Sequence, residues 1–552
     1  MPQVLGTITE DSGSVTTNYT DTVTNTTQTF TFSDKQDGMT FISKGNAVVT
    51  LTVNGKTNNI PPNGSIRIND VFTSFDVVRI QSGSHSFEIN SFKLKNDVRD
   101  VEGFAEQLKQ TNLTPVLTRD LTLNDRSNVN QTGTTRIRVY SQFQSQDLRI
   151  MYSNYYNGNV SKFTPNTNNI SVKAAIEING VVIPMYFNGK RTVVIEGGAN
   201  VLSDPIGCII NPGDAVYIRT FFDAGVGGYV PKSAQQFGIT LGNNDGVTYG
   251  SDLVDSGTIT NTNYDYAYIP TAIFGTAEVA ESFLLVGDSI MQGIDDKPMQ
   301  SIGFAARALY NKKIPYTKIA MSGESTGGFL DSLYLRSIFT NNHKSVLINY
   351  GRNDVNGNVP IATIKANLIK IWTYYKKKGL KVFQCTTLPR TSSTDFWITL
   401  ENQTVHANDT IKVALNQWLL DTTSNGAKAQ SNGVLDGVYD IAKVVEVNGK
   451  WKAATKIYSG TIQSATTNTL TDSAIPFPQQ DLDKDAVVVI TGGKGVGQTA
   501  QVSSNWPATQ ITVKTNWATI PDNTSTYDLY RVATNDGIHP SPSQHAVIST
   551  VI

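Results

Sequence analysis

Phe283-Leu284-Leu285-Val286-Gly287-Asp288-Ser289 is the stretch that decides how this 552-residue chain folds. Four apolar residues in a row read as a strand buried on both faces, as in a parallel sheet. Gly287 bounds that run, and the serine falls at the carboxyl edge of the sheet, where open α/β sheets bind ligands. Ser289 is therefore a candidate nucleophile. An unassisted hydroxyl is barely ionised at neutral pH, so it needs a base, a group to orient the base, and donors for an oxyanion.

Outward from that stretch, apolar strands alternate with helical patterns from about residue 280, which predicts a parallel sheet. Ser345-Val346-Leu347-Ile348-Asn349-Tyr350 is a second buried strand, and Leu380-Lys381-Val382-Phe383-Gln384-Cys385 a third. Residues 361–378 carry helical spacing and end in three lysines before Gly379; residues 408–420 form another amphipathic helix. Near 441 a β-pattern returns, with strands at 486–491 and 510–513, and the α/β pattern resumes at Asn535. A β-domain inserted over 441–533 accounts for this, since insertion costs little when the loop ends lie close together. The α/β domain then comprises 279–440 plus 534–552.

The amino-terminal half reads as β-structure. Thr29-Phe30-Thr31-Phe32 and the run 47–53, followed by the hairpin turn Asn54-Gly55, place a β-sandwich module at 1–102. Residues 103–112 read as a short helix or linker, within a second module at 103–278. Strands at 136–140, 172–178 and 215–219, with turns at Asn179-Gly180 and Asn211-Pro212-Gly213-Asp214, make it a β-sandwich or jelly roll. Its role is open between glycan binding and a structural spacer.

With 39% hydrophobic and only 16% charged residues, the composition suits β-rich extracellular or virion proteins. A net charge of -1 gives no electrostatic case for nucleic acid or an anionic membrane. No apolar run approaches the length of a membrane span, and no basic segment followed by an apolar stretch marks a signal peptide. That combination fits release by cell lysis, or a signal already cut away. Cys208 and Cys385 fall in separate domains, so no disulfide is expected and both read as small core residues.

Five histidines are present: His85, His343, His406, His539 and His545. Only His539 has a nearby acid in a useful place, in Asp536-Gly537-Ile538-His539-Pro540. An aspartate three residues earlier, on a loop leading into a helix, can hold one ring nitrogen as donor and leave the other to take the serine proton. His545 reads as an ordinary helix residue. Ser322-Gly323-Glu324-Ser325-Thr326-Gly327-Gly328 follows the strand-like 318–321, and Gly323 brings a backbone N–H to the edge. Gly351-Arg352-Asn353-Asp354 follows the second strand, with Asn353 offering a neutral side-chain donor. Each segment alone also reads as an ordinary turn. Asp295-Asp296 reads as a solvated loop, because adjacent side chains seldom converge on one substrate.

In this order the four segments resemble the four blocks of the SGNH (GDSL-type) hydrolase family, over about 281–440 plus 534–552. The resemblance implies an α/β/α, flavodoxin-like domain and two-step acyl transfer. It implies Ser289 as nucleophile, His539 as general base and Asp536 as orienting acid. The backbone N–H groups of Ser289 and Gly323, with Asn353, would form the oxyanion hole. No cofactor and no metal are expected. Ile290 departs mildly from the leucine common after the serine, and the insertion separates the Asp/His loop from the other blocks. The family implies an esterase, often of acetylated carbohydrates, and the β-rich flanks favour a polymer. The Thr- and Asn-rich amino-terminal region looks like a bacteriophage tail fibre or tailspike. The leading expectation is a phage tail esterase that deacetylates bacterial surface polysaccharide, on the virion or extracellular. Other tail proteins and a homotrimer are expected as partners. A secreted bacterial carbohydrate esterase with binding modules is the alternative within the same chemistry. A non-catalytic receptor-binding or structural virion protein is the alternative outside it.

Overall fold

The computed structural model describes residues 27–36, 38–44, 48–61, 65–68, 72–79, 86–92, 113–119, 121–158, 162–234, 245–259, 266–297 and 302–552. His85 and the helix or linker expected at 103–112 lie outside the described residues. Two compact units divide the chain at Thr111/Asn112.

In the first unit, strands Gln28–Gln36, Phe72–Arg79, Val49–Val53 and Lys56–Ile60 form one antiparallel sheet. Val49, Leu51 and Val53 alternate inward along their strand, which is why it pairs on this face. Asn54 and Gly55 both take positive φ, as a two-residue hairpin turn requires.

The second unit begins with two antiparallel sheets that share one core. Thr132–Ser141, Ile170–Ile178 and Val216–Asp223 are central in one; Ser145–Ser153 and Ala272–Thr276 are central in the other. Ile137, Val172 and Ile218 from the first sheet bury against Ile150, Tyr152 and Ile273 from the second.

The α/β domain follows. Its elements are β1 (Phe283–Gly287), α1 (Ser289–Gln292), α2 (Phe304–Asn311), β2 (Tyr316–Lys318) and α3 (Thr326–Arg336). They continue with β3 (Ser345–Asn349), α4 (Arg352–Asn356), α5 (Ile361–Lys377), β4 (Lys381–Cys385), α6 (Asp409–Leu420), β5 (Gly437–Tyr439) and α7 (Pro542–Ser549). All five strands are parallel, in the order β2-β1-β3-β4-β5, which is the flavodoxin-like order. Every residue of β1 and β3 is buried, as the unbroken apolar runs predict. Leu285, Leu347 and Cys385 pack with Phe304, Leu309 and Ile548 of α2 and α7 on one face of the sheet. Cys208 is half-buried beside the β-module core, and both cysteines are free.

An antiparallel sheet of seven strands spans residues 455–531 between β5 and α7, with a core of its own around Leu470, Val488, Val502, Tyr527 and Leu529. The boundary expected at 441 falls inside the α/β domain. Ile441, Ala442, Val445 and Trp451 fill the α/β core, and Trp451 Nε1 donates to Gly537 O at 2.9 Å. The short strands there look like the start of the β-domain, but their apolar side chains have the parallel sheet as their nearest core.

The β-module of the second unit and the inserted region are both hydrogen-bonded to the α/β domain. Asn157 Nδ2 donates to Ser322 O at 3.2 Å, and Asn200 Nδ2 to Leu335 O at 3.0 Å. From the inserted region, Gln501 Nε2 donates to Asn535 O at 2.8 Å, and Lys297 Nζ reaches Asp481 O at 2.7 Å.

Candidate active site

At the end of β1 the chain turns directly into α1. A Cβ on Gly287 would stand 2.6 Å from Met291 Cβ, so only glycine lets the short helix fold back so closely. Asp288 is the N-cap, accepting from Ile290 N–H at 3.0 Å through Oδ1. Ser289 opens the helix and is 7% exposed.

His539 lies 250 residues further on, yet its Nε2 is 2.8 Å from Ser289 Oγ. Its Nδ1 is 2.6 Å from Asp536 Oδ2. The carboxylate is acceptor only, so Nδ1 carries the proton and Nε2 is left to accept from the serine. Asp536 Oδ1 accepts the backbone N–H groups of Ile538 and His539, both at 2.8 Å, which fixes the carboxylate in plane with its own loop. Gly537 makes the loop possible: its φ is +82°, and a Cβ there would come within 1.8 Å of Thr391 O.

The electrostatics follow from this geometry. Burial opposes ionisation of Asp536, but the hydrogen bond and charge of His539 and the two backbone donors outweigh it and hold the carboxyl at about 2. Burial disfavours the His539 imidazolium, but the hydrogen bond and charge of Asp536, then the charges of Asp295 and Asp288, raise it above the ordinary histidine value. Burial pushes Asp288 up to about 7, against the Ile290 N–H and the charges of His539 and Arg352.

The other two blocks meet beside Ser289. Met321 N–H donates to Gly287 O at 2.9 Å, and Gly287 pairs with Asn349, so the loops after β2 and β3 flank the end of β1. Asn353 Nδ2 donates to Glu324 O at 3.0 Å, next to Gly323. Asp354 accepts from Thr326 N–H at 3.0 Å and Thr326 Oγ1 at 2.6 Å, capping α3 from the neighbouring loop. The loop carrying Gly323 and the short helix α4 carrying Asn353 are thus tied to each other twice.

Several groups in this frame carried no signal in the sequence. Glu324 is fully buried and takes Arg336 bidentately, at 2.9 and 2.7 Å, and Tyr350 Oη also donates to it. Arg336 sits twelve residues away at the far end of α3, a separation that no local pattern links to Glu324. Asp354 read only as turn chemistry.

Asp295-Asp296 is not the solvated loop expected from the sequence. Asp296 is buried, not solvated: it accepts Arg307 Nε at 2.8 Å and Gly303 N–H at 2.8 Å. Asp295 is half-buried, and one of its oxygens lies within 4.8 Å of a ring nitrogen of His539 and an oxygen of Asp536. The two side chains diverge, as adjacent ones do, but each meets a charged group. Both His539 nitrogens are already bonded, to Asp536 and Ser289, so this trio offers no free imidazole lone pair to a cation.

The remaining histidines have structural bonds. His545 accepts Phe304 N–H at Nδ1 and donates from Nε2 to Ile294 O at 3.1 Å. Burial holds His343 down to about 4, and its Nδ1 bonds Phe339 O at 2.6 Å. His406 accepts Asn408 N–H at 3.2 Å.

Fold and site together define a parallel α/β domain bearing a serine–histidine–aspartate relay at its carboxyl edge. No protein-family model and no curated protein matches the sequence. Among solved structures the chain is similar to a GDSL-like lipase from Bacteroides thetaiotaomicron VPI-5482, at 18% identity over 31% of this chain and 75% of that one, TM-score 0.23. It is similar to a member of the lipolytic protein G-D-S-L family from Veillonella parvula DSM 2008, at 19% over 30% and 80%, TM-score 0.23. It is also similar to Axe2, an acetylxylan esterase from Geobacillus stearothermophilus, at 15% over 30% and 78%, TM-score 0.22. TM-scores this low carry nothing about activity.

Proposed function

We propose that this chain is a serine ester hydrolase of SGNH type. The observation that carries the reading is the unbroken relay from Ser289 Oγ to His539 Nε2 and from His539 Nδ1 to Asp536, at 2.8 and 2.6 Å. Ser289 Oγ attacks the ester carbonyl while its proton passes to His539 Nε2, and the carbonyl oxygen becomes an oxyanion. The N–H groups of Ser289 and Gly323 and the second amide hydrogen of Asn353 are its donors; the first is committed to Glu324 O. Collapse breaks the C–O bond, and the leaving alkoxide takes the proton from His539. Water then gives its proton to His539 and its oxygen to the acyl carbon, and the proton returns to Ser289 as the acid leaves.

For the substrate we infer O-acetyl groups on bacterial surface polysaccharide, with the chain acting as a phage tail protein beside other tail proteins, as a homotrimer. Support comes from the β-regions hydrogen-bonded to the α/β domain and from the low charge and β-rich composition. Acetate release from candidate cell-surface polymers, alongside hydrolysis of a short-chain aryl acetate, tests the reading. Turnover by wild type and none by Ser289→Ala is expected; equal rates for the two on both substrates would sink it. Finding the protein in purified virions tests the setting, and its absence there favours the secreted bacterial esterase.

A further inference from the structure

Asp295 stands where the relay itself has no vacancy. Asp536 already holds Nδ1 of His539, and Ser289 holds Nε2. Even so, a second carboxylate oxygen is brought within 4.8 Å of both the imidazole and the first carboxylate. Two carboxylates this close repel each other, so the fold must impose the approach.

The turn that imposes it is fixed at every neighbour of Asp295. Gly293 ends α1 in the left-handed region, Ile294 N–H donates to Ser289 O at 3.0 Å, and Asp296 N–H to Gly293 O at 3.1 Å. His545 of α7 grips Ile294 O, Arg307 of α2 and Gly303 N–H hold the Asp296 carboxylate, and Lys297 is tied to the inserted region at Asp481 O. Asp295 itself has φ +67°, a region that Asp and Asn enter more readily than other side chains. On the other side, Gln501 of the inserted sheet holds Asn535, the residue before Asp536. The separation of the two carboxylates is therefore set by rigid elements on both sides.

We propose that Asp295 is a positioning residue acting through His539: a second carboxylate that favours the imidazolium formed when the serine proton is transferred. The inference rests on the esterase reading of the same site. With His539 neutral, the trio carries two negative charges that repel. Once Nε2 takes the proton, a cation stands within reach of both, and the arrangement becomes favourable at the moment the tetrahedral oxyanion forms. Charge stabilisation that exists only after proton transfer lowers the barrier rather than the energy of the bound substrate. The other groups facing His539 are Asp536 on its own loop, Asp288 at the start of α1, and His545 on α7. His545 accepts a backbone N–H at Nδ1 and so stands neutral.

The test is histidine-selective 15N labelling of the full chain, which has five histidines, with His539→Gln to assign the signal. Titration of the His539 ring is compared in wild type, Asp295→Asn, Asp295→Gly and Asp295→Glu. Asn and glycine both accept the positive φ, so the turn is kept. Loss of the nearby charge is expected to move the His539 titration down by about one pH unit in the Asn and Gly variants, with Glu restoring most of it. The acid limb of kcat/KM for a short-chain aryl acetate moves down with it, and kcat/KM at its plateau falls on the order of tenfold. An unmoved His539 titration in Asp295→Asn overturns the proposal, whatever happens to activity. If the titration moves while wild type hydrolyses no ester, the esterase reading fails and the charge coupling stands.

Discussion

Asp288→Asn is expected to stabilise the protein above about pH 4, by an amount that grows up to about pH 7. The carboxyl is 1% exposed; Oδ1 accepts the Ile290 N–H at 3.0 Å, and Oδ2 is buried with no hydrogen-bond partner among the described residues. Burial is the cause that pushes this group from 3.8 up to about 7. A folded-state value above the unfolded one means that the folded chain holds the proton more tightly. The contribution is present in full below 3.8 and is lost as pH rises through about 7. At about 1.4 kcal/mol per pH unit, the ionised aspartate costs the folded state on the order of 4 kcal/mol at pH 8. Asparagine keeps the cap acceptor and, like the protonated acid, leaves its other polar atom unpartnered. The two side chains should therefore be nearly isoenergetic at about pH 4, and the advantage of asparagine should grow with pH and level off above about 7. Thermal or urea unfolding of the full chain across that range reads the difference. A gain independent of pH, or largest in acid, would refute the reasoning. The charge that Asp288 carries when ionised is also one of those that raise His539.

Two further outcomes concern the frame around the oxyanion. Asn353→Ala should lower kcat on the order of 10²-fold and leave KM nearly unchanged, because the donor matters only once the oxyanion exists; kcat within a few-fold of wild type in steady-state assays with an aryl acetate would remove Asn353 from the site. Arg336→Met strands the fully buried Glu324 and should cost about 3–5 kcal/mol of stability, whereas adding Glu324→Gln should recover part of the loss; a double variant no more stable than the single one contradicts the pairing.

What the sequence made legible is what depends on local period. Phe283 to Val286 reads as a buried strand because every side chain in it is apolar, and 361–378 reads as a helix because its apolar positions recur at helical spacing. The chain order of the serine, glycine, asparagine and histidine segments was also visible, since each follows a strand or precedes a helix. Burial of charge was not visible, because it is decided by what arrives from elsewhere. Asp296 looks solvated until Arg307 is folded onto it, and Glu324 looks like part of a glycine turn until Arg336 returns along α3. The edge of the inserted domain is hidden for the same reason: Trp451 sits in a β-like segment, but its side chain packs in the α/β core and donates to Gly537 O.

These hidden contacts have a common direction. The loop of Gly323 is held by Asn157 of the β-module, the loop of Asp536 by Gln501 of the inserted sheet, and the turn of Asp295 by Asp481 in a loop of that same inserted region. A catalytic geometry that tolerates errors of only about half an ångström needs such second supports when its residues stand on loops. The inserted sheet at 455–531 is thus part of the frame around His539 and its two carboxylates. A change on its Gln501 or Asp481 side would reach the serine through the histidine, while leaving Gly323 and Asn353 tied to each other as before.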